Sequence, residues 1–515
     1  MKIYKQEYWD FTKRYLGSIL FFTMFFVAMF SFDDYGVAWD EPYQRDIAIT
    51  NVNYIVHGDS TLIDWWNRDY GVAFELPLIA VERIFNITDI RQVYLMRHIV
   101  SHLFFLLGAL FGFRLIVLLY NSKLLAAIGF LFIVLSPRLY AQSFYNTKDI
   151  PFMIMFLVCL YYNAIAFRNK RVLDFILLGA CVGILINIRI AGIILPIFVF
   201  SFLVLDAIIE KKYIHHLKLI LFLGLTSIFV LYLSWPFLWT DPINNFIYAF
   251  NNMSKFRWDA AMLFKGEFIT GTSIKWNYIP VWFSITTPIF FLLTGLSGII
   301  LLIVRFIKAP KIFLLNIKER NNIFFLVCFF VPILISILLK SVLYDGWRHM
   351  YFIYPSFVML AIYSLHFILQ KMKRHLFVIA VTLTFTFLIV FMIKNHPHQL
   401  VYFNYFVTPN NPEYIRKNFE MDYWGVSYRE SLEYILISDS SKSINLNFSM
   451  YSGHIPILIL SNSERKRINL VPFEKADYFI TNYRWHPDDY DELKDSEYHS
   501  FKVGNNTVNK IFKLR

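Results

Sequence analysis

The chain has 515 residues, of which 57% are hydrophobic, 19% aromatic and only 17% charged, with a mean hydropathy of +0.49. A soluble domain carries about 25% charged residues, so a soluble globular enzyme, a disordered protein and a nucleic-acid binder are excluded. The formal charge is +12, yet residues 1–394 hold 35 Lys and Arg against 22 Asp and Glu, while residues 395–515 hold 14 against 15. The basic excess therefore belongs to the apolar part, where membrane topology accounts for it.

A membrane helix needs about 20 mostly apolar residues. Eleven segments qualify: 16–32, 98–119, 124–141, 150–167, 172–188, 190–209, 216–235, 281–305, 322–340, 350–370 and 375–394. The first is long enough to span and no small-residue cleavage pattern follows it, so no cleavable signal peptide is expected. The fifth and sixth form one run interrupted at Asn187–Ile188–Arg189, where a turn at the interface costs less than an arginine in mid-bilayer. Cys159, Cys181 and Cys328 lie inside apolar runs, without Cys or His at ligand spacing, and read as small buried hydrophobes.

Lys2, Lys5, Lys13 and Arg14 put the N-terminus in the cytoplasm. The even-numbered gaps follow, with Lys123, Arg168, Lys170, Arg171, Lys211, Lys212, Lys218, Arg305, Lys308, Lys311, Lys318, Arg320, Lys371, Lys373 and Arg374. The short outer gaps hold only Lys148, Arg189, Lys340 and Arg348. An odd number of spans places the C-terminus outside. The expected organisation is an α-helical polytopic membrane module over 1–394, with long outer loops at 33–97 and 236–280, and a small α/β extracytoplasmic domain over 395–515. The second loop, rich in Trp, Asn and Phe, suits interfacial helices. In the C-terminal domain a helix is read near 412–438, then strands at 443–449, 455–460, 476–481 and 507–513.

Isolated charges at the outer ends of spans break the topology rule and are the candidates for chemistry. In the first loop, Pro42 fits the first turn of a helix over 42–57 stopped by Gly58, and Asp40 or Glu41 could simply cap it. The functional reading makes Asp40 a carboxylate that takes a proton from an acceptor hydroxyl, with Glu41 orienting it or helping to hold a divalent cation. The stretch from Ser136 to Pro151 carries Arg138, Lys148 and Asp149. It is either snorkelling cations with a capping aspartate or a phosphate clamp. Tyr344, Asp345, Arg348 and His349 form either an interfacial aromatic belt with an ion pair or a second half of the same anion site. Arg97 and Arg189 are weaker members of that set.

These stretches resemble the GT-C membrane glycosyltransferases, especially family 39, which includes the protein O-mannosyltransferases and the transferases of aminoarabinose and other polyprenyl-phosphate sugars. The resemblance rests on Trp39-Asp40-Glu41-Pro42, Tyr70-Gly71, Ser136-Pro137-Arg138 through Lys148-Asp149-Ile150-Pro151, Asp345-Gly346-Trp347-Arg348-His349, His396 through Asn404, and Asp422-Tyr423-Trp424-Gly425. It implies a sugar donor on polyprenyl phosphate, bound from the outer leaflet, and a single inverting displacement. Asp40 would be the general base, supported by Glu41. Arg138, Lys148, Arg348 and His349 would hold the leaving phosphate, with Asp149, Tyr344, Asp345, Arg97 and Arg189 in support. A divalent cation stays open, and the acceptor is a lipid, a glycan or a protein. The eukaryotic protein mannosyltransferases' large inserted domain is missing, which puts protein mannosylation in doubt. Other readings are a flippase or transporter for a lipid-linked saccharide, expected to show repeats and midplane polar sites, and an O-antigen ligase or polymerase. The C-terminal domain is either a lid over the acceptor or a passive cap.

Overall fold

A computed structural model describes residues 2–256, 258–407 and 413–515, with side chains from residue 15 onward. The four N-terminal basic side chains used for orientation, and the start of the helix read near 412, lie outside that set.

The protein is a multi-pass α-helical membrane protein. Among the described residues nine helices are long and apolar enough to cross a membrane: Tyr15–Asp34, Ile90–Tyr120, Asp149–Asn169, Ile190–Glu210, Tyr213–Ser234, Ile289–Lys308, Ile317–Leu338, Arg348–Lys371 and Arg374–Lys394. Three expected spans differ. The segment 172–188 is a helix, Val172–Ile188, slightly shorter than those nine. The segment 124–141 is split into Lys123–Val134 and Pro137–Tyr145, bent by 63°. Pro137 is the cause: the residue before a proline is pushed out of the helical region, and Ser136 is extended at φ −75°, ψ 109°. The second piece turns inward and is buried along its whole length. Pro288 acts likewise on the expected span 281–305, leaving Thr287 extended between helices Tyr278–Thr286 and Ile289–Lys308.

Small residues let these helices approach closely. A Cβ on Gly298 would lie 1.9 Å from the Leu360 carbonyl oxygen, so the helices Ile289–Lys308 and Tyr354–Lys371 meet backbone to backbone. The end of the helical module that meets the C-terminal domain carries the helix Glu41–His57, ended as expected by Gly58 at φ 67°. It also carries Pro242–Ser254, whose Ile243, Ile247 and Phe250 stay exposed, as suits an interfacial helix. A short hairpin follows, β1 (Ala261–Phe264) and β2 (Glu267–Thr270).

The C-terminal domain begins with two short helices, Tyr414–Asn418 and Tyr428–Ser438, in place of one. Its strands are β3 (Ile444–Phe448), β4 (Ile468–Leu470), β5 (Tyr478–Thr481), β6 (Glu497–Val503) and β7 (Asn506–Lys513). They form a mixed sheet in the order β4-β3-β5-β7-β6, with β3 parallel to β4 and β5. The expected strand at 455–460 is instead a 3-10 helix, Tyr451–Ile459, containing Pro456, which cannot donate to a strand ladder. Ile444, Leu446, Tyr478, Ile480 and Ile511 pack against Leu432 and Ile435 of the second helix, giving the domain its own core.

Candidate active site

Asp40 and Glu41 follow the first span but serve different purposes. The strand-like stretch before them lies on the C-terminal domain: Trp39 donates its backbone N–H to the Trp424 carbonyl at 3.2 Å, and Arg429 bonds the carbonyls of Asp33 and Tyr35. Glu41 turns inward and is fully buried. Its carboxylate accepts the Ala38 N–H at 2.7 Å and lies 3.2 Å from His98 Nε2. Asp40 occupies the N-cap position of the helix but makes no side-chain cap bond. Its carboxylate is 35% exposed and faces Arg348 Nη1 at 3.6 Å.

Arg348 is the hub. Its Nη1 is 3.1 Å from Asp149 Oδ2, and its Nη2 is 3.1 Å from Asp345 Oδ2. The guanidinium lies between the rings of Tyr344 (4.8 Å) and Trp424 (4.7 Å). The chain reaches this position through a tight turn in which Asp345 has φ 58° and Gly346 φ 72°. A left-handed aspartate is costly; here it is buried and held by two arginines. Asp149 opens its helix, and Asn146 fixes it by accepting its N–H at 2.8 Å and donating to Oδ2 at 3.1 Å. Asp149 also pairs with Arg189 at 2.5 Å.

Lys148 completes the group. Among the described residues it makes no ion pair; its Nζ sits 3.2 Å above the Tyr70 ring. Burial and then the neighbouring Arg189 push its ammonium down to about 7. Burial raises the carboxyl of Asp40 above the ordinary carboxylate value, and Arg348 opposes that rise. His349 packs edge-on against Tyr344 with ring centroids 4.5 Å apart. Thus Asp40, Asp149, Asp345, Lys148, Arg189, Arg348, His349 and Tyr344 meet at one place.

Besides Glu41, two candidates are elsewhere. Arg97 is fully buried with Glu75 and Glu82, the latter also held by Arg45, in a separate ionic cluster under the first loop. Arg138 donates to the Tyr402 carbonyl at 3.0 Å and stacks on Phe403 at 4.6 Å. A network through Gln142, Tyr351, Tyr423 and Trp424 lies between it and Arg348. The Arg138 Nη2 is a buried donor that makes no hydrogen bond among the described residues.

The sequence reading missed Arg484 and Glu420. Arg484 of the C-terminal domain bonds Asp345 Oδ1 at 2.5 Å and Glu420 at 3.4 Å. An isolated arginine 136 positions beyond Arg348 carries no local signal of this partnership. Tyr70 was legible only within a motif; its ring is now a wall of the site.

The space between the Asp40 and Asp149 carboxylates is taken by the Arg348 guanidinium, so these residues do not fit a divalent cation there. A separate group, Asp206, Glu210 and His216, offers ligand atoms within 4.8 Å of one another. It lies at the opposite end of the helix that starts beside Arg189, and Lys170 already bridges its two carboxylates.

The sequence resemblance to GT-C transferases finds support in a family model. The model described as dolichyl-phosphate-mannose-protein mannosyltransferase matches residues 83–235. No curated protein matches the chain. Among solved structures, ArnT from Cupriavidus metallidurans, bound to undecaprenyl phosphate, is 12% identical with a TM-score of 0.49, covering 96% of this chain and 97% of that one. The oligosaccharyltransferase of Archaeoglobus fulgidus in its apo form is 11% identical with a TM-score of 0.42, covering 86% of this chain. The same organism's AglB, with an inhibitory peptide and a dolichol-phosphate, is 12% identical with a TM-score of 0.43, covering 87% of this chain. The chain spans 62% and 66% of the length of those two archaeal chains.

Proposed function

We propose that the protein is a membrane glycosyltransferase that moves a sugar from a polyprenyl-phosphate donor to an acceptor hydroxyl. One observation carries this reading: a part-exposed carboxylate, Asp40, stands beside a cationic group formed by the buried Arg348 and the half-buried Arg189 and Lys148. The segment matched by the mannosyltransferase family model supports it, since that segment contains Arg138, Lys148, Asp149 and Arg189.

In the proposed reaction the acceptor oxygen attacks the anomeric carbon while the bond from that carbon to the phosphate oxygen breaks. The proton of the acceptor hydroxyl passes to Asp40. The bonding electron pair leaves with the lipid phosphate, whose growing charge is met by Lys148 and by Arg348 and Arg189. Both arginines are already fixed by Asp149, so little reorganisation is needed as charge moves. Glu41 shapes the site from behind by closing the turn at Ala38 and holding His98. One displacement inverts the anomeric carbon.

We place the protein in the plasma (inner) membrane with the N-terminus cytoplasmic and the site on the outer face. The donor would come from the membrane, and the acceptor would be a lipid, glycan or protein hydroxyl. The helix broken at Ser136 favours a second reading as a flippase, because broken helices are common in transporters.

Turnover in nanodiscs with a panel of polyprenyl-phosphate sugars separates the two. The transferase reading expects release of polyprenyl phosphate by the wild type, and a loss of roughly 10²–10⁴-fold in Asp40→Asn with donor-induced thermal stabilisation retained. Wild-type turnover in a folded Asp40→Asn protein removes the general-base role. Transport of a lipid-linked saccharide without any release of polyprenyl phosphate selects the flippase.

A further inference from the structure

We infer that Arg484 is a positioning residue that the C-terminal domain supplies to the site, holding Asp345 and through it Arg348; the inference rests on the transferase reading only for its kinetic consequence. Arg484 follows β5, after Tyr483 at φ 61°, a left-handed turn that aims the arginine inward. Its side chain is 2% exposed. It spreads over three partners: Nη2 to Asp345 Oδ1 at 2.5 Å, Nε to Glu420 Oε1 at 3.4 Å, and Nη1 to the Tyr423 carbonyl at 2.7 Å. Its guanidinium also lies 5.1 Å from the ring of Trp39, the residue before Asp40.

Asp345 is completely buried and shared between two arginines, one carboxylate oxygen to each. Such a carboxylate is placed by the balance of its partners. Without Arg484, Asp345 would be left to Arg348 alone, and Glu420 would be buried without its cation. Arg348 would then be drawn toward Asp345 and away from Asp40 and Asp149. A misplacement of about 1 Å at a reacting centre costs on the order of 10²-fold in rate. Docking of the C-terminal domain is thus tied to the geometry of the cationic hub, which neither a passive cap nor an acceptor contact requires.

The test compares wild type, Arg484→Gln and Arg484→Lys in nanodiscs by backbone hydrogen exchange over residues 344–353 and by turnover. Arg467→Gln is the control: Arg467 is a half-buried arginine of the same domain whose bonds go to the carbonyls of Leu436, Asp439 and Ser441. We expect faster exchange over 344–353 and a fall of about 10²-fold in kcat, with the acceptor KM unchanged, in Arg484→Gln. Arg484→Lys, which keeps the charge but lacks the planar fork, should recover part of both, and it decides the matter if the glutamine variant does not fold. Arg467→Gln should alter neither readout. Unchanged exchange over 344–353 in the Arg484 variants overturns the inference, as does a raised KM with unchanged kcat, which would make Arg484 an acceptor contact. A wild type that releases no polyprenyl phosphate, with 344–353 still loosened by Arg484→Gln, sinks the transferase reading and leaves Arg484's hold on Arg348 standing.

Discussion

Lys148 should make phosphate binding depend on pH in a direction opposite to that of the phosphate itself. In the free protein its ammonium titrates at about 7, against about 10.4 for an unperturbed lysine. Half of the molecules therefore carry the cation at pH 7, and roughly 3% at pH 8.5. If a lipid phosphate binds the protonated form, its apparent affinity should fall about 15-fold between these pH values. A phosphate monoester has its second pKa near 6, so the ligand is already largely dianionic over this interval and would otherwise bind no worse. Isothermal titration with polyprenyl phosphate in buffers of different ionisation heat reads both the affinity and the proton taken up on binding. Lys148→Arg should flatten the profile at high affinity, and Lys148→Gln should flatten it at low affinity. A wild-type affinity independent of pH from 7 to 8.5, or the same slope in Lys148→Gln, refutes the reasoning. For the free protein the sign also follows: between pH 7 and about 10 the unfolded chain binds the proton that the folded one has lost, so this residue's contribution to stability rises with pH.

Three further outcomes are expected. Arg97→Met leaves Glu75 and Glu82 buried with their shared cation removed; breaking a buried pair this way costs about 3–5 kcal/mol, to be read as a fall in the temperature of aggregation or unfolding in detergent. Gly71→Ala should disrupt the first loop, because a Cβ there would lie 1.4 Å from the Asn187 carbonyl oxygen; since Asn187 also accepts the Ala73 N–H at 2.9 Å, limited proteolysis should cut loop 58–75 more readily in the variant. Chelation by EDTA should leave turnover unchanged, because a guanidinium fills the space between Asp40 and Asp149; restoration of lost activity by one added divalent metal would contradict that.

The sequence made legible what depends on hydropathy and on single residues that break a rule. The spans were visible because lipid demands long apolar runs. Lys148, Arg189, Lys340 and Arg348 stood out because the topology rule disfavours them in the short gaps; Arg189 and Arg348 pair with Asp149 and Lys148 stands beside them on Tyr70, while Lys340 is exposed elsewhere. The two prolines show the limit: Pro137 and Pro288 sit inside runs apolar enough to read through, yet each turns the backbone. Asp40 and Glu41 could not be told apart by spacing, since adjacent residues point to different sides and only the fold decides which side is wet. Arg97 obeyed the same pattern as Arg348, but its acids, Glu75 and Glu82, come from the first loop. Arg484 and Glu420 were invisible because their meaning lies in contacts between distant parts of the chain.

The helix Ile90–Tyr120 has 31 residues, about 46 Å at 1.5 Å per residue, whereas the hydrocarbon layer measures about 30 Å. The surplus stands above the lipid as a mast. Arg91 near its tip donates to the Ile459 carbonyl at 2.9 Å, and Asp89 just before it accepts from Asn462 at 3.2 Å. The C-terminal domain is therefore fastened to an element that is itself packed into the helical module along its length, from Val93 to Tyr120. The same helix carries His98 to Glu41 and His102 to Ser143, so one rigid post sets both the height of the domain's seat and the floor beneath the turn at Asp40.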